Sequence, residues 1–145
     1  MIGCWDAKYF YSSWRPITAI QQAANDGNRN TAADPNWTPL ITTPPFSEYP
    51  SAHSCVSGPA AQILGAWFGK DTSCSVSSDG IPGVVRSFSG FATALDEIKN
   101  ARVFGGMHFR TACNDGTALG SAIGNYVIHL APLPKHSERE DSRGR

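Results

Sequence analysis

The sequence has no uninterrupted apolar run approaching the roughly 18 residues of a membrane span, which excludes a spanning helix. Met1 to Asp6 lack the basic start and apolar centre of a signal peptide, so the chain as given reads as soluble, with an exported or periplasmic location left open for a longer form. Net charge is also missing. With 12 basic and 12 acidic residues there is no global field to draw in nucleic acid or an anionic membrane, and any anion site must be local. None of the four cysteines (Cys4, Cys55, Cys74, Cys113) falls in a Cys-x-x-Cys pair, which speaks against zinc. Were the protein exported, Cys74 and Cys113, both in polar surroundings, are the pair expected to join. Internal repeats and low-complexity blocks are absent too, which excludes a repeat array.

What is present fits one globular domain. A chain of 145 residues, 41% hydrophobic and 17% charged, is long enough to bury a core, and we expect a helical domain over 1–134 and a charged tail over 135–145. The first stretch is dense in aromatics (Trp5, Tyr9, Phe10, Tyr11, Trp14) that read as core rather than as a cage for a cation. Lys8 and Arg15 stand among them. On one unbroken helix they would be roughly 10 Å apart along the axis, too far to share a small anion. Pro16 biases Arg15 away from helical geometry, so a bend there lets the two cations converge before a second helix, Ile17 to Ala24, stopped by Gly27.

Five prolines between Asn28 and Pro50 forbid a regular helix, while Trp37, Leu40, Ile41, Phe46 and Tyr49 indicate an ordered wrap that delivers Ser51. After Ser51 the apolar positions keep helical spacing to Trp67, with Gly69 as the stop. Pro59 requires either a kinked helix from Ser51 or a start near Ser57. Lys70 to Gly83 is turn-filled, with room for a short hairpin. Phe88, Phe91, Ala92, Leu95, Ile98, Arg102 and Gly105 then mark a helix whose buried stripe contains an arginine. Gly105-Gly106 loosens its end so that His108 can swing back. A last helix, Thr117 to Leu130, is expected to be capped by Asn114 or Asp115 and stopped by Pro132 and Pro134.

Four or five helices around one Pro-rich loop make an all-α domain. Three features stand out in it: Lys8 ahead of Arg15-Pro16, the quartet Pro50-Ser51-Ala52-His53, and Arg102 ahead of His108. Taken singly, each has a plain structural reading. Ser51 is then an N-cap, Lys8 and Arg15 are solvated, Arg102 pairs with Asp96 or Glu97, Cys55 is buried filler, and the histidines are ordinary.

In this order, with helices between them, the three features resemble the three-part signature of the vanadium-dependent haloperoxidases within the type 2 phosphatidic acid phosphatase superfamily. The resemblance runs from about Trp5 to Leu130. Pro44-Pro45-Phe46 and Gly105-Gly106-Met107-His108-Phe109-Arg110 are similar to the bacterial haloperoxidase branch in particular. It implies that Lys8, Arg15 and Arg102 neutralise the oxygens of bound vanadate, a place that phosphate or sulfate can also take. Ser51 would add a hydroxyl and Ala52 a backbone amide at a helix start. It further implies that His108 ligates the metal and that His53 acts as acid or base while Lys8 polarises peroxide for attack by halide. The same residues could instead serve an acid phosphatase, His108 attacking phosphorus to form a phosphohistidine and His53 protonating the leaving group of a small phosphate ester. An inactive oxyanion-binding remnant is the third reading.

Four departures from that pattern are visible. Ala52 stands where glycine is usual, Ala101 where serine is usual, and Ala112 where an acid often lies four residues after the histidine. The fourth is length: the lysine is already at position 8, so the resemblance implies a fragment of a helical bundle lacking its N-terminal helices. Apolar faces would then be partly exposed and homo-oligomers expected.

Overall fold

The structure is a computed structural model that describes residues 1–130. The charged tail expected over 135–145, and the prolines expected to stop the last helix, lie outside the described residues. In chain order the elements are α1 (Ile2–Phe10), α2 (Pro16–Gln21), a single 3-10 turn (Ala23–Asn25), α3 (Ala52–Phe68), β1 (Cys74–Ser78), β2 (Ile81–Phe88), α4 (Phe91–Phe104) and α5 (Arg110–Leu130). The helical bundle expected from the sequence is present, with one antiparallel hairpin, β1 against β2, added to its side. No helix of the described residues is long and apolar enough to cross a membrane.

The centre of the fold is the pairing of α3 with α5, and glycine makes it possible. A Cβ at Gly116 would lie 2.8 Å from the Ser51 carbonyl, one at Gly120 would meet the Cys55 carbonyl and lie 2.9 Å from Pro59 Cδ, and one at Gly124 would lie 2.9 Å from Pro59 Cα. These contacts ascend both helices together, so α3 and α5 run parallel and their N-termini meet at one end of the bundle. Pro59 does not break α3. It removes the amide that would have bonded the Cys55 carbonyl, and that carbonyl faces Gly120, where only a glycine Cα can approach.

The proline-rich segment is the ordered wrap expected, free of helix and strand from Asn28 to Ser51. Its anchors are specific. Gly106 takes φ 72°, and any side chain there would strike Trp37 and Pro39, while one at Gly105 would strike Ile41, so the glycine pair is where the wrap crosses the end of α4. The Glu48 amide donates to the Ser13 carbonyl (3.2 Å) and Ser47 Oγ to the Lys8 carbonyl (2.8 Å), tying the wrap to the N-terminal segment.

Several expectations need correction. Phe88 ends β2, because Gly90 interrupts the chain before α4 begins. The last helix starts at Arg110, seven residues before Thr117. Asp115 does not cap it but accepts a hydrogen bond from Tyr49 Oη (3.0 Å). The disulfide joins Cys4 to Cys55, pinning α1 to α3; Cys74 and Cys113 are free, and Cys113 is buried in α5. Cys55 is therefore a covalent link rather than filler. The aromatics near Lys8 do not form a core: Trp5 is half-buried against Phe46, but Tyr9 and Phe10 are 78% and 79% exposed.

Among the described residues buried apolar side chains are few and small: Leu95 and Met107 are the bulkiest, beside five cysteine or alanine positions. Among the described residues the largest fully buried side chain is Lys8, 1% exposed, and Arg15, Glu48, Ser51, Ser54 and His108 are buried with it. The interior of this molecule is its polar end.

Candidate active site

Five segments converge where α3 and α5 begin. The bend before α2 brings Arg15 beside Lys8, and both lie over the Phe46 ring, with Lys8 Nζ 5.4 Å and Arg15 Cζ 5.0 Å from its centroid. Lys8 Nζ donates to the carbonyls of Ser47 and Glu48, each at 3.0 Å, and keeps one proton beyond those two bonds. Burial, then the charge of Arg15, lowers its pKa from 10.5 to about 8, with Glu48 opposing.

Arg15 is held at both ends of its fork. Nε donates to the Phe46 carbonyl (3.0 Å), and Nη1 donates to the Met107 carbonyl (2.9 Å) and faces His108 Nε2 (3.1 Å). Among the described residues, neither the buried Arg15 Nη2 nor the buried Arg102 Nε has a partner. The structural partners considered for Arg102 are engaged elsewhere: Asp96 pairs with Lys99 and Glu97 with Arg86. Burial lowers the pKa of both guanidinium groups, and each of these donors lacks the acceptor that a buried polar atom ordinarily finds.

His108 sits between a carboxylate and a guanidinium. Its Nδ1 lies 2.9 Å from Glu48 Oε1, and the same oxygen accepts the Phe109 amide at 2.9 Å. Burial is the largest influence on its pKa and lowers it, aided by Arg15 and Lys8 against the opposing pull of Glu48. Since arginine can only donate, neutral His108 presents the Nε2 lone pair towards Arg15 and carries its proton on Nδ1. Glu48 was missed in the sequence. The one signal for it was a lone carboxylate beside the quartet in an otherwise proline-rich and apolar stretch.

Ser51 occupies the N-cap position of α3 but caps nothing: no side chain bonds the first turn, and the first amide taken up by the helix is that of Cys55, on the Ser51 carbonyl. The Ser51 hydroxyl instead accepts from Ser54 Oγ (3.2 Å), which leaves its own proton available to donate. Its amide donates to the Ala112 carbonyl (3.0 Å), locking the start of α3 to the start of α5. Ala52 needs no glycine, because among the described residues no non-glycine residue has positive φ. His53, on the first turn, has an exposed edge, yet burial lowers its pKa, followed by the charges of Arg102, His108 and Arg15. Backbone contacts link Arg102 to Arg15 and His108: the Arg102 carbonyl accepts the Met107 amide (3.1 Å), and the Met107 carbonyl accepts Arg15 Nη1, which faces His108 Nε2.

This is a helical bundle in which two parallel helix starts lie near buried Arg15, half-buried Arg102 with its Nε enclosed, and one oriented imidazole. Among the described residues no group of three or more His, Cys, Asp or Glu could hold a bare metal ion. The two unpartnered guanidinium donors fit a group that carries its own oxygens, as vanadate or phosphate does.

Residues 1–133 match the family model described as the VCPO second helical-bundle domain, and the chain belongs to that family. Among solved structures it is similar to the first bacterial vanadium-dependent iodoperoxidase, with 38% identity and a TM-score of 0.76 over 88% of this chain and 29% of that one. Bacterial vanadium-dependent chloroperoxidase structures share the fold: the holo form at 19% identity, TM-score 0.68, over 89% of this chain and 32% of that one, and the apo form at 20% identity, TM-score 0.68, over 89% and 33%. The chain thus spans about a third or less of these proteins. No curated protein matches it.

Proposed function

We propose that this chain carries the vanadate site of a haloperoxidase that oxidises halide with hydrogen peroxide. The observation that carries the reading is the pair of buried, unpartnered donors, Arg15 Nη2 and Arg102 Nε, in the same site as the Nε2 lone pair of His108. Lys8, Arg15 and Arg102 would hold vanadate oxygens, with the Ser51 hydroxyl and the Ala52 amide adding neutral donors, and His108 Nε2 would be the one protein ligand to the metal. Bound vanadate supplies a Lewis-acid centre that makes peroxide electrophilic towards halide. The net reaction consumes halide, hydrogen peroxide and one proton and yields hypohalous acid and water.

The residues then divide the work. Three cations, of which Lys8 and Arg15 are buried, would offset the anion's charge, and contacts are stronger at buried positions than in water. His53, with its pKa lowered by burial and by Arg102, is neutral at pH 7 and suited to accept a proton and pass it to the leaving oxygen. Its exposed edge gives that proton a route to solvent.

The test is one folded preparation assayed two ways. Vanadate-dependent formation of triiodide or of a brominated dye from peroxide is the expected result, and His108→Ala should abolish it. Hydrolysis of an aryl phosphate without vanadate would replace this reading with a phosphatase acting through His108. Neither activity, with phosphate or sulfate still bound, would leave an oxyanion-binding remnant.

A further inference from the structure

The third motif lacks an acid at Ala112, and the structure supplies a carboxylate from elsewhere. Glu48 reaches His108 across 60 positions of sequence from the proline-rich wrap. It is 3% exposed, and every polar part of it that is bonded joins two segments of the site. The backbone faces the N-terminal segment, its amide donating to Ser13 and its carbonyl accepting Lys8 Nζ. The side chain faces the entry to α5, with Oε1 shared between His108 Nδ1–H and the Phe109 amide.

We propose that Glu48 is the positioning residue of this site, fixing both the tautomer and the direction of the His108 ring. An ionised carboxylate only accepts and a guanidinium only donates, so the pair Glu48 and Arg15, on opposite ring nitrogens, admits one neutral tautomer. That tautomer leaves the lone pair on Nε2. A carboxylate behind a ligating imidazole also makes the ring a better electron donor, against the effect of burial. The wrap therefore does more than deliver Ser51: through one residue it sets Lys8 and His108 in register.

This assignment rests on the reading of His108 as the nitrogen ligand of the anion, and its test does not depend on turnover. Nitrogen-15 spectra of histidine-labelled protein report which ring nitrogen of His108 is protonated, and vanadium-51 spectra report orthovanadate affinity. In the wild type, Nδ1 of His108 is expected to be protonated. Glu48→Leu should mix the tautomers and weaken vanadate binding by about 10–100-fold, the usual effect of losing such a support. Glu48→Gln, which keeps an acceptor oxygen, should preserve the tautomer and hold affinity within a few-fold.

A wild-type spectrum with the proton on Nε2, or a Glu48→Leu variant with unchanged tautomer and affinity, would overturn the proposal. If the leucine variant does not fold, the wild-type and glutamine spectra still decide it. Protein that binds vanadate with this tautomer yet oxidises no halide would sink the haloperoxidase reading and leave Glu48 in its role.

Discussion

Arg102 shows how a single side chain can be tuned for a ligand rather than for the fold. Its Nε is buried without an acceptor among the described residues, so replacing it removes no bond at that atom. Arg102→Met is expected to leave stability within about 0.5 kcal/mol while costing about 1.5–3 kcal/mol of anion binding, roughly 10–100-fold in affinity. Denaturant titration and sulfate calorimetry on one sample check both halves. Lys8 gives a pH signature. Its pKa is lowered, so between about pH 8 and 10.5 the unfolded chain holds a proton that the folded one has lost, and stability should rise with pH across that window. Sulfate, whose charge does not change there, should bind less tightly over the same range as Lys8 becomes neutral. Lys8→Met should flatten both trends in denaturation and calorimetry. At this scale motif order singles out Lys8, Arg15, Ser51, His53, Arg102 and His108. Glu48 could not be found this way, because its partner lies 60 residues away and no spacing rule links a loop carboxylate to a helix entry.

The elements depend on close approach at a few glycines. Gly120 has the Cys55 carbonyl and Pro59 where a side chain would go, whereas a Cβ on Gly65 would meet only Lys70 atoms at 3.8 Å or more. The two therefore predict opposite signs. Gly120→Ala should destabilise by about 1–3 kcal/mol through overpacking, and Gly65→Ala should stabilise by up to about 1 kcal/mol by stiffening the unfolded chain. Chemical denaturation of the two variants checks both signs. Helical spacing made α3 and most of α4 legible in the sequence. The start of α5 was not, because Asn114 and Asp115 carry the chemistry of a cap while Asp115 is engaged with Tyr49 Oη. Phe88 misled for a similar reason: an apolar residue at the right spacing, separated from its helix by Gly90.

The whole molecule combines a well-buried polar end with apolar faces left in the open. Ile2, Phe10 and Phe104 are 88%, 79% and 76% exposed, as the resemblance to a longer bundle implied. The cysteine pairing escaped the sequence, because only the folded chain shows that α1 lies against α3. Its consequence is topological. The Cys4–Cys55 bond closes residues 4–55 into a covalent ring, and Lys8, Arg15, Glu48 and Ser51 all belong to it, while Arg102 and His108 do not. A ring of this size stabilises by about 4 kcal/mol in the chain-entropy account. It also makes one backbone cut harmless to connectivity. Within the ring trypsin meets Lys8, which is buried, Arg15, which precedes proline, and the exposed Arg29. Cleavage after Arg29 should leave the cradle donors on one covalent molecule, with sulfate affinity retained until a reductant opens the ring and releases the N-terminal piece. Loss of affinity in the cut but still oxidised protein would show that the intact backbone of the wrap, and not the ring, holds the two cations in place.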